Sequence, residues 1–256
     1  MSTPALWRLL DEATNVAEQQ LCHASASAPR QHARAILASF QQNGTCNASS
    51  HWRRMGHSAQ VPEQVETLAN LVRGEAGPKV CCEVGFNAGH SALVWLEGGC
   101  QRLIEFDFLR EPYSATSRAF VEKTYPGRVT FVRGSSMFSL ENHLKNVLSG
   151  KAPACDLWMV DGNHGPEGKP STHPALLAWP GRDLTHAIKA SADGALVIAD
   201  DCTERFPDVQ RAWAKLQSLG SLHGDSQIKH ALPEPIGVKG WCVGRANATL
   251  TRSAKF

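Results

Sequence analysis

The hydrophobic and polar positions of this chain follow two different periods. In the first sixty residues, apolar positions recur every three or four residues over residues 4–21 and again over residues 29–41, which predicts two amphipathic helices. The polar, turn-rich stretch that starts at Asn43 predicts a loop. We therefore expect residues 1–60 to form a helical N-terminal segment.

The period changes after a third predicted helix, which starts at Pro62. Short apolar runs then alternate with helix-length segments, and these runs lie at residues 79–85, 102–108, 128–134, 155–162 and 195–201. Such alternation predicts a parallel sheet with helices on both faces. The sequence predicts two strands at residues 226–232 and 239–246 with no helix between them, which indicates that the chain ends in antiparallel strands. Residues 61–256 are thus predicted to form one α/β domain.

Composition limits the kinds of binding partner and the cellular location that we expect for the protein. The chain has 256 residues, a formal net charge of +2 and 42% apolar residues, and it has no long Lys/Arg run. We therefore expect no nucleic-acid partner and no anionic membrane surface. No stretch is apolar enough for a transmembrane helix, and the N-terminus lacks the basic-then-apolar order of a signal peptide. These features predict a cytoplasmic protein.

Eight cysteines are present, without a CxxC pair, and this spacing disfavours a zinc site. Because no secretion signal is found, we expect all eight thiols to be reduced. Cys81 and Cys82 are adjacent on a predicted strand, so their side chains should point to opposite faces and not bond each other.

The stretch VCCEVGFNAGHSALVWLE, residues 80–97, reads as a strand, a glycine loop and a helix. Such a loop brings backbone N–H groups and a helix N-terminus to a ligand. The dinucleotide fingerprint needs G-x-G-x-x-G, whereas Gly85 and Gly89 give G-x-x-x-G. On its own the loop is weak evidence, because a turn without a ligand would look the same.

Polar residues also follow the other predicted parallel strands. Asp107 ends the second strand, and the segments 134–137, 160–164 and 199–201 end the third, fourth and fifth. Ligands of such sheets bind outside the carboxyl ends of the strands. All these features therefore converge on one crevice, and their coincidence is more specific than any single motif.

With these motifs, residues 60–256 resemble the class I S-adenosylmethionine-dependent methyltransferases. The resemblance is carried by EVGFNAGHS, which follows the family's E/D-x-G-x-x-x-G-x-S pattern, by Asp107, by VDGNH and by IADD. Within the class, the chain resembles the catechol-type and the macrolide- and aminocoumarin-sugar-type small-molecule O-methyltransferases. The sugar type writes D-G-D-H where this chain has Asn163 in place of the second acid. The resemblance implies a Rossmann-like, seven-stranded, mostly parallel sheet whose last strand is antiparallel.

The resemblance also implies a cofactor site for S-adenosylmethionine. The loop from Gly85 to Gly89 would approach the methionine part, and Glu83 would orient that loop or hold the amino group. Asp107 would take the ribose hydroxyls, with Glu105 as its rival two residues earlier on the same strand face. Ser135 or Ser136 would lie near the adenine, unless these serines cap a helix. The full predicted set is Glu83, Gly85, Phe86, Asn87, Gly89, Ser91, Asp107, Ser135, Ser136 and Asp161.

Methyl transfer to a hydroxyl needs a general base or a cation that lowers the pKa of the hydroxyl. Asp161, Asp200 and Asp201 are the predicted ligands of a divalent ion, most simply Mg²⁺, which prefers oxygen ligands. Three acids at neighbouring strand ends would repel each other, so we expect a cation or a basic group beside them. Asp201 could instead cap the following turn. His164, three residues after Asp161, would be the base or a further metal ligand, which makes Asp161 and His164 the predicted catalytic residues.

The acceptor is expected to be a small molecule. The loop 162–182 would form part of its wall, and residues 55–60 would close the site from the N-terminal side. Relatives often dimerise through their N-terminal region, so we also expect a homodimer. The aromatic candidates for the acceptor pocket are Trp52, Trp158, Trp179 and Phe206. Trp158 lies within an apolar strand, which favours a core position for it over the pocket.

Alternative functions remain open from the sequence. A methyltransferase for nitrogen or carboxyl groups would keep the fold and need no metal. An NAD(P)-dependent oxidoreductase shares the sheet and the acid after the second strand, but the loop spacing disfavours it and VDGNH and ADD have no role there. A binding protein without turnover is disfavoured by the intact acidic set. A nucleic-acid methyltransferase is disfavoured by the lack of a basic run and of an N/D-P-P-Y/F motif.

Overall fold

The computed structural model describes residues 4–27, 41–42, 45–46, 61–75, 78–163, 165, 168–231 and 238–254. Several predictions therefore lie outside the described residues, and they concern the second helix up to residue 40, Trp52, the segment 55–60 and His164. No helix in the described ranges combines the length and the apolarity that crossing a membrane requires.

The elements alternate as the periodicity predicts. The N-terminal part contains α1 (Pro4–Ser27), β1 (Gln41–Gln42), β2 (Thr45–Cys46) and α2 (Pro62–Gly74). The remainder contains β3 (Val80–Val84), α3 (His90–Gly98), β4 (Arg102–Asp107), α4 (Ser114–Thr124), β5 (Val129–Arg133), α5 (Ser136–Leu148), β6 (Cys155–Val160), α6 (Trp179–Lys189), β7 (Ser191–Ala199), α7 (Pro207–Ser218), β8 (Leu222–Ala231), β9 (Val238–Ala246) and α8 (Ala248–Ser253). One local prediction is wrong, because β2 pairs with β1 in the stretch expected to be a loop.

Seven strands form one sheet in the order β5-β4-β3-β6-β7-β9-β8. The pairs from β5 to β7 are parallel, and β9 runs antiparallel to both β7 and β8. This confirms the predicted α/β fold class with its antiparallel last strand. Strands β7 and β8 begin four residues earlier than predicted. The β6–β7 pair has a register shift near the start of β7, and the β8–β9 pair has one near the start of β8. These irregularities explain why a simple alternation pattern missed the starts of β7 and β8.

Helices cover both faces of the sheet, so each face buries its own core. On one face, α1, α2 and α3 pack together, with Leu6, Leu10 and Ala13 of α1 fully buried against this layer. On the other face, α6 packs between α5 and α7 and also contacts α8. Both faces being covered fixes the sheet rigidly, which leaves its carboxyl edge as the place for a ligand.

Three disulfides link Cys81 with Cys100, Cys82 with Cys155, and Cys202 with Cys242. The prediction that these six cysteines are reduced is therefore wrong. The missing signal is spatial, because their partners lie 19, 73 and 40 residues apart along the chain and meet only in the folded sheet. The opposite orientation of Cys81 and Cys82 is confirmed, since each bonds a partner on a different face. The prediction for Cys22 and Cys46 concerns side chains outside the described part of the chain.

Candidate functional site

A pocket of about 320 Å³ lies at the carboxyl edge of the parallel strands, where the loops after β3, β4, β6 and β7 meet. This volume is within the range of small-molecule sites, about 300–1,000 Å³. The predicted residues that line it are Gly85, Phe86, Asn87, Ser91, Asp107, Asp161, Asp200 and Asp201. The convergence predicted from the strand ends is thus seen for the loops after β3, β4, β6 and β7, but not for the segment 134–137.

The glycine loop needs its two glycines for close approach. Gly85 has φ +105°, and a Cβ there would lie 2.1 Å from the carbonyl oxygen of Asp161. Gly89 has φ +82°, and a Cβ there would lie 2.7 Å from the ring of Phe86. The loops after β3 and β6 are therefore packed directly on each other, and α3 begins at the pocket with His90 and Ser91 in its wall. Unpaired N–H groups at such a helix start suit a carboxylate or a polar ligand group.

Asp107 and Glu105 have different surroundings. Asp107 lines the pocket, and its carboxylate accepts the N–H of Phe86 at 2.9 Å and the N–H of Leu109. Each oxygen keeps a second lone pair that a ligand hydroxyl can use. Glu105 is completely buried below the pocket. Of these two predicted candidates for ribose, only Asp107 is placed to touch a ligand.

Glu83 and Glu105 are register neighbours on β3 and β4, and both are completely buried. Burial raises the pKa of Glu83 to about 7, although hydrogen bonds from Ser91 and Trp95 oppose the rise. Trp95 Nε1 donates to Glu83 Oε2 at 3.2 Å. Burial and the neighbouring Glu83 raise the pKa of Glu105 further, well above its usual range. Both carboxyl groups therefore favour the protonated form more than an exposed glutamate does.

Asp161, Asp200 and Asp201 form what we call the acidic cluster. One carboxylate oxygen of each lies within 4.8 Å of the others. Asp161 faces the open pocket, whereas Asp200 and Asp201 are buried at 6% and 8% exposure. The surrounding protein, and next the carboxylate of Asp200, raise the pKa of Asp161 well above its usual range. The cluster therefore holds more negative charge than its surroundings can stabilise.

The ligand atoms of the acidic cluster suit a divalent ion. Its donors are all carboxylate oxygens, which hard cations prefer. Asp200 Oδ1 is buried and has no hydrogen-bond partner among the described residues. Buried polar atoms are rarely left unpaired, so such an atom beside two further carboxylates points to a ligand.

Lys239 and Trp241 of β9 line the same pocket and were missed by sequence reasoning. Lys239 Nζ lies 3.8 Å from Asp200 Oδ2. Asp200 and the other two acids keep the pKa of Lys239 above its usual range. The sequence does show that residues 239 and 241 share one face of a strand. It does not show that this strand, β9, lies beside β7, because that depends on the strand order.

Several predicted residues do not reach the pocket. The predicted residues that do not line it are Glu83, Gly89, Ser135 and Ser136. Glu83 and Gly89 nevertheless shape the glycine loop 85–89. Ser135 precedes α5 and its side chain makes no capping hydrogen bond. Asn163 accepts the N–H of Gly165 at 3.0 Å, so the residue that departs from D-G-D-H helps to fold its own loop.

Trp158 belongs to a buried core cluster, as its apolar strand predicts. Two aromatic predictions need correction, because Phe206 belongs to the same cluster and Trp179 does not line the pocket. The aromatic residues of the pocket are instead Phe86, Phe108 and Trp241. Trp52 lies outside the described residues. In the described part of the loop 162–182, Gly162 alone lines the pocket. Further along this loop, Arg211 of α7 donates to the carbonyl oxygens of Ser171 and His173, which ties the loop to α7.

Comparison with known proteins agrees with this geometry. Residues 82–202 match the family model described as a methyltransferase domain. No curated protein matches the sequence.

Solved structures share the fold at low identity. The O-methyltransferase of Bacillus cereus in complex with SAH has a TM-score of 0.57 at 15% identity, over 93% of this chain and 100% of that one. The O-methyltransferase TomG of Streptomyces achromogenes in complex with SAM has a TM-score of 0.58 at 15% identity, over 92% and 90% of the chains. A Klebsiella pneumoniae protein described as an O-methyltransferase has a TM-score of 0.60 at 17% identity, over 97% and 92%.

Proposed function

Because residues 82–202 match the model of a methyltransferase domain, we propose that the chain is a class I S-adenosylmethionine-dependent methyltransferase that moves a methyl group to a hydroxyl of a small-molecule acceptor. The observation that carries this proposal is the acidic cluster in the wall of the cofactor pocket, with the buried, unpaired oxygen of Asp200. In the proposed reaction, the acceptor oxygen bonds to the methyl carbon while the carbon–sulfur bond breaks. The proton of the hydroxyl leaves to a base. The match to a methyltransferase domain disfavours the oxidoreductase alternative.

The cofactor is proposed to lie across the loop 85–89 and Asp107. The two oxygens of Asp107 already hold backbone N–H groups, which fixes the carboxylate for ribose hydroxyls. The start of α3 faces the same space, which favours the methionine carboxylate there. Ser135 and Ser136 keep their proposed role near the adenine, although neither lines the pocket.

Asp161, Asp200 and Asp201 are proposed to hold Mg²⁺. When bound, the ion would lower the pKa of the acceptor hydroxyl. The chain's own part is to aim Asp161 at the open pocket and to keep Asp200 and Asp201 buried behind it. His164 is proposed as the group that takes the hydroxyl proton, three residues after Asp161 in the sequence.

Residues 1–60 are proposed to act as a lid and as the surface of a homodimer. Support comes from α1, where Thr14 Oγ1 lies 2.9 Å from Nε2 of His90, a residue of the pocket wall. A cytoplasmic location stays a prediction, and the three disulfides count against it because such bonds persist in oxidising compartments.

A second candidate function is metal-independent methylation of a nitrogen or carboxyl group. It is favoured by Lys239, which already supplies one positive charge at 3.8 Å from Asp200. In that case the acidic cluster and Lys239 would bind the acceptor directly.

The test uses methyl-labelled S-adenosylmethionine with a panel of catechols, hydroxylated glycosides and amines, each with Mg²⁺ or with a chelator. We expect labelled ether products only in the presence of the ion. We also expect Asp161→Ala to abolish this turnover while SAH still binds, because the change leaves Asp107 and the glycine loop intact. The exposed Glu66 of α2 gives a control variant, Glu66→Ala. An Asp161→Ala protein that works with Mg²⁺ would remove the metal from the proposal, and chelator-resistant labelling of amines would favour the second candidate.

A further inference from the structure

We propose that Lys239 is a fixed cation beside the acidic cluster, which offsets one of its three negative charges and weakens its affinity for a divalent ion. The inference rests on the proposed metal site and deepens it. It assigns to this side chain of β9 a role in setting the ion affinity of carboxylates that lie on two other elements.

The charge count of the site supports this role. The cluster offers three carboxylates, which one divalent ion cannot neutralise. One divalent ion together with one ammonium group balances them. Without the ammonium group, a second cation or a bound proton would be needed to offset the third charge.

Lys239 and the ion can use different oxygens of Asp200. Lys239 Nζ approaches Oδ2 at 3.8 Å, whereas Oδ1 is buried and has no hydrogen-bond partner in the described part of the chain. The Lys239 side chain is 22% exposed and that of Asp200 is 6% exposed. Water and salt therefore screen this pair less than a surface pair. Asp200 is held by one oxygen and leaves the other for the ion.

The backbone fixes the distance between Lys239 and the cluster. The N–H of Cys202, next to Asp201, donates to the carbonyl oxygen of Gly240, next to Lys239, at 2.8 Å. The disulfide between Cys202 and Cys242 spans the same two elements with a Cα–Cα distance of 5.5 Å. The loop that carries the acids and the strand that carries the lysine cannot separate. Lys239 therefore stays beside the cluster whether or not an ion is bound.

A neighbouring lysine provides the matched control. Lys229 lies on β8, opposite Gly240 of β9 in the strand register, and pairs with Glu204 at 2.8 Å. That ion pair is exposed and outside the pocket. Lys229→Met thus removes a lysine–carboxylate pair from the next strand without touching the acidic cluster.

The experiment measures the binding of Mn²⁺, as a paramagnetic stand-in for Mg²⁺, to the SAH-loaded protein by electron paramagnetic resonance and by calorimetry. The fixed ammonium group repels an ion a few ångströms away, so we expect Lys239→Met to bind Mn²⁺ at least about tenfold more tightly. Lys239→Arg should bind it like the wild type, and so should Lys229→Met. Tighter binding is a result that a merely damaged site would not give. If the Met variant does not fold, Lys239→Gln takes its place.

Unchanged or weaker Mn²⁺ binding by Lys239→Met, with binding by the wild type intact, would overturn the inference alone. Asp161→Ala separates this from a failure of the proposed function. If neither the wild type nor Lys239→Met binds Mn²⁺ above the level of Asp161→Ala, the metal site itself is wrong and the inference falls with it. Binding that appears only after removal of Lys239 would support the inference.

Discussion

The buried carboxyl groups of Glu83 and Glu105 lead to a prediction of how the stability of the protein depends on pH. Glu83 has a pKa raised from 4.5 to about 7, mainly by burial. The unfolded chain loses this proton near its ordinary pKa, whereas the folded protein keeps it to higher pH. Between these two values the folded state binds more protons than the unfolded state. Its free energy of unfolding must therefore fall as the pH rises through this window.

The size of the effect follows from the same two values. The difference between 4.5 and about 7 corresponds to roughly 3 kcal/mol, most of which is lost between about pH 5 and about pH 8. Glu83→Gln cannot ionise, and its amide oxygen can still accept from Trp95 Nε1. We expect this variant to gain roughly 2.5 kcal/mol relative to the wild type over that range. Burial, the largest cause of the raised pKa of Glu105, is the same in both proteins.

The assay is urea unfolding of the cofactor-free protein, followed by tryptophan fluorescence at several pH values. The difference between the two proteins at each pH isolates Glu83 from the other titrating groups. Glu66→Gln, at an exposed position of α2, should give a curve parallel to that of the wild type. Parallel curves for Glu83→Gln and the wild type would falsify the reasoning, since they would mean that Glu83 is not protonated more strongly in the folded state.

Two further predictions concern the cofactor and the cysteines. Asp107→Ala should weaken SAH binding at least about tenfold in calorimetry, because it removes a ligand-facing carboxylate and two hydrogen bonds that hold the loop; unchanged affinity would turn attention to Glu105. Thiol titration of the unreduced, denatured protein should find at most the two thiols of Cys22 and Cys46, because the other six cysteines are in disulfides; eight reactive thiols would show that these bonds do not form.

The sheet and its crevice could be predicted from the sequence because they depend on local pattern and on strand ends. Alternating runs located β3, β4, β5 and β6 within a residue or two. Asp107, Asp161, Asp200 and Asp201 then follow from one rule, that ligands lie at the carboxyl ends of parallel strands. Each of these residues is placed by its own strand, so no long-range information was needed.

The remaining features depend on contacts between distant segments. Lys239 joins the site only because β9 lies between β7 and β8, an order that no periodicity reveals. The disulfides were missed for the same reason. Their pairing depends on which strands meet in the folded sheet.

The adjacent cysteines of β3 have a consequence for how the protein must be made. Cys81 reaches Cys100 on one side of the sheet, and Cys82 reaches Cys155 on the other. An exchange of partners would require β3 to turn over, which the finished sheet forbids. In a growing chain no such barrier exists, and the two neighbouring thiols compete for the first partner that appears. We therefore expect production with a disulfide isomerase, which breaks wrongly formed bonds, to give more correctly paired protein than production with a stronger oxidant.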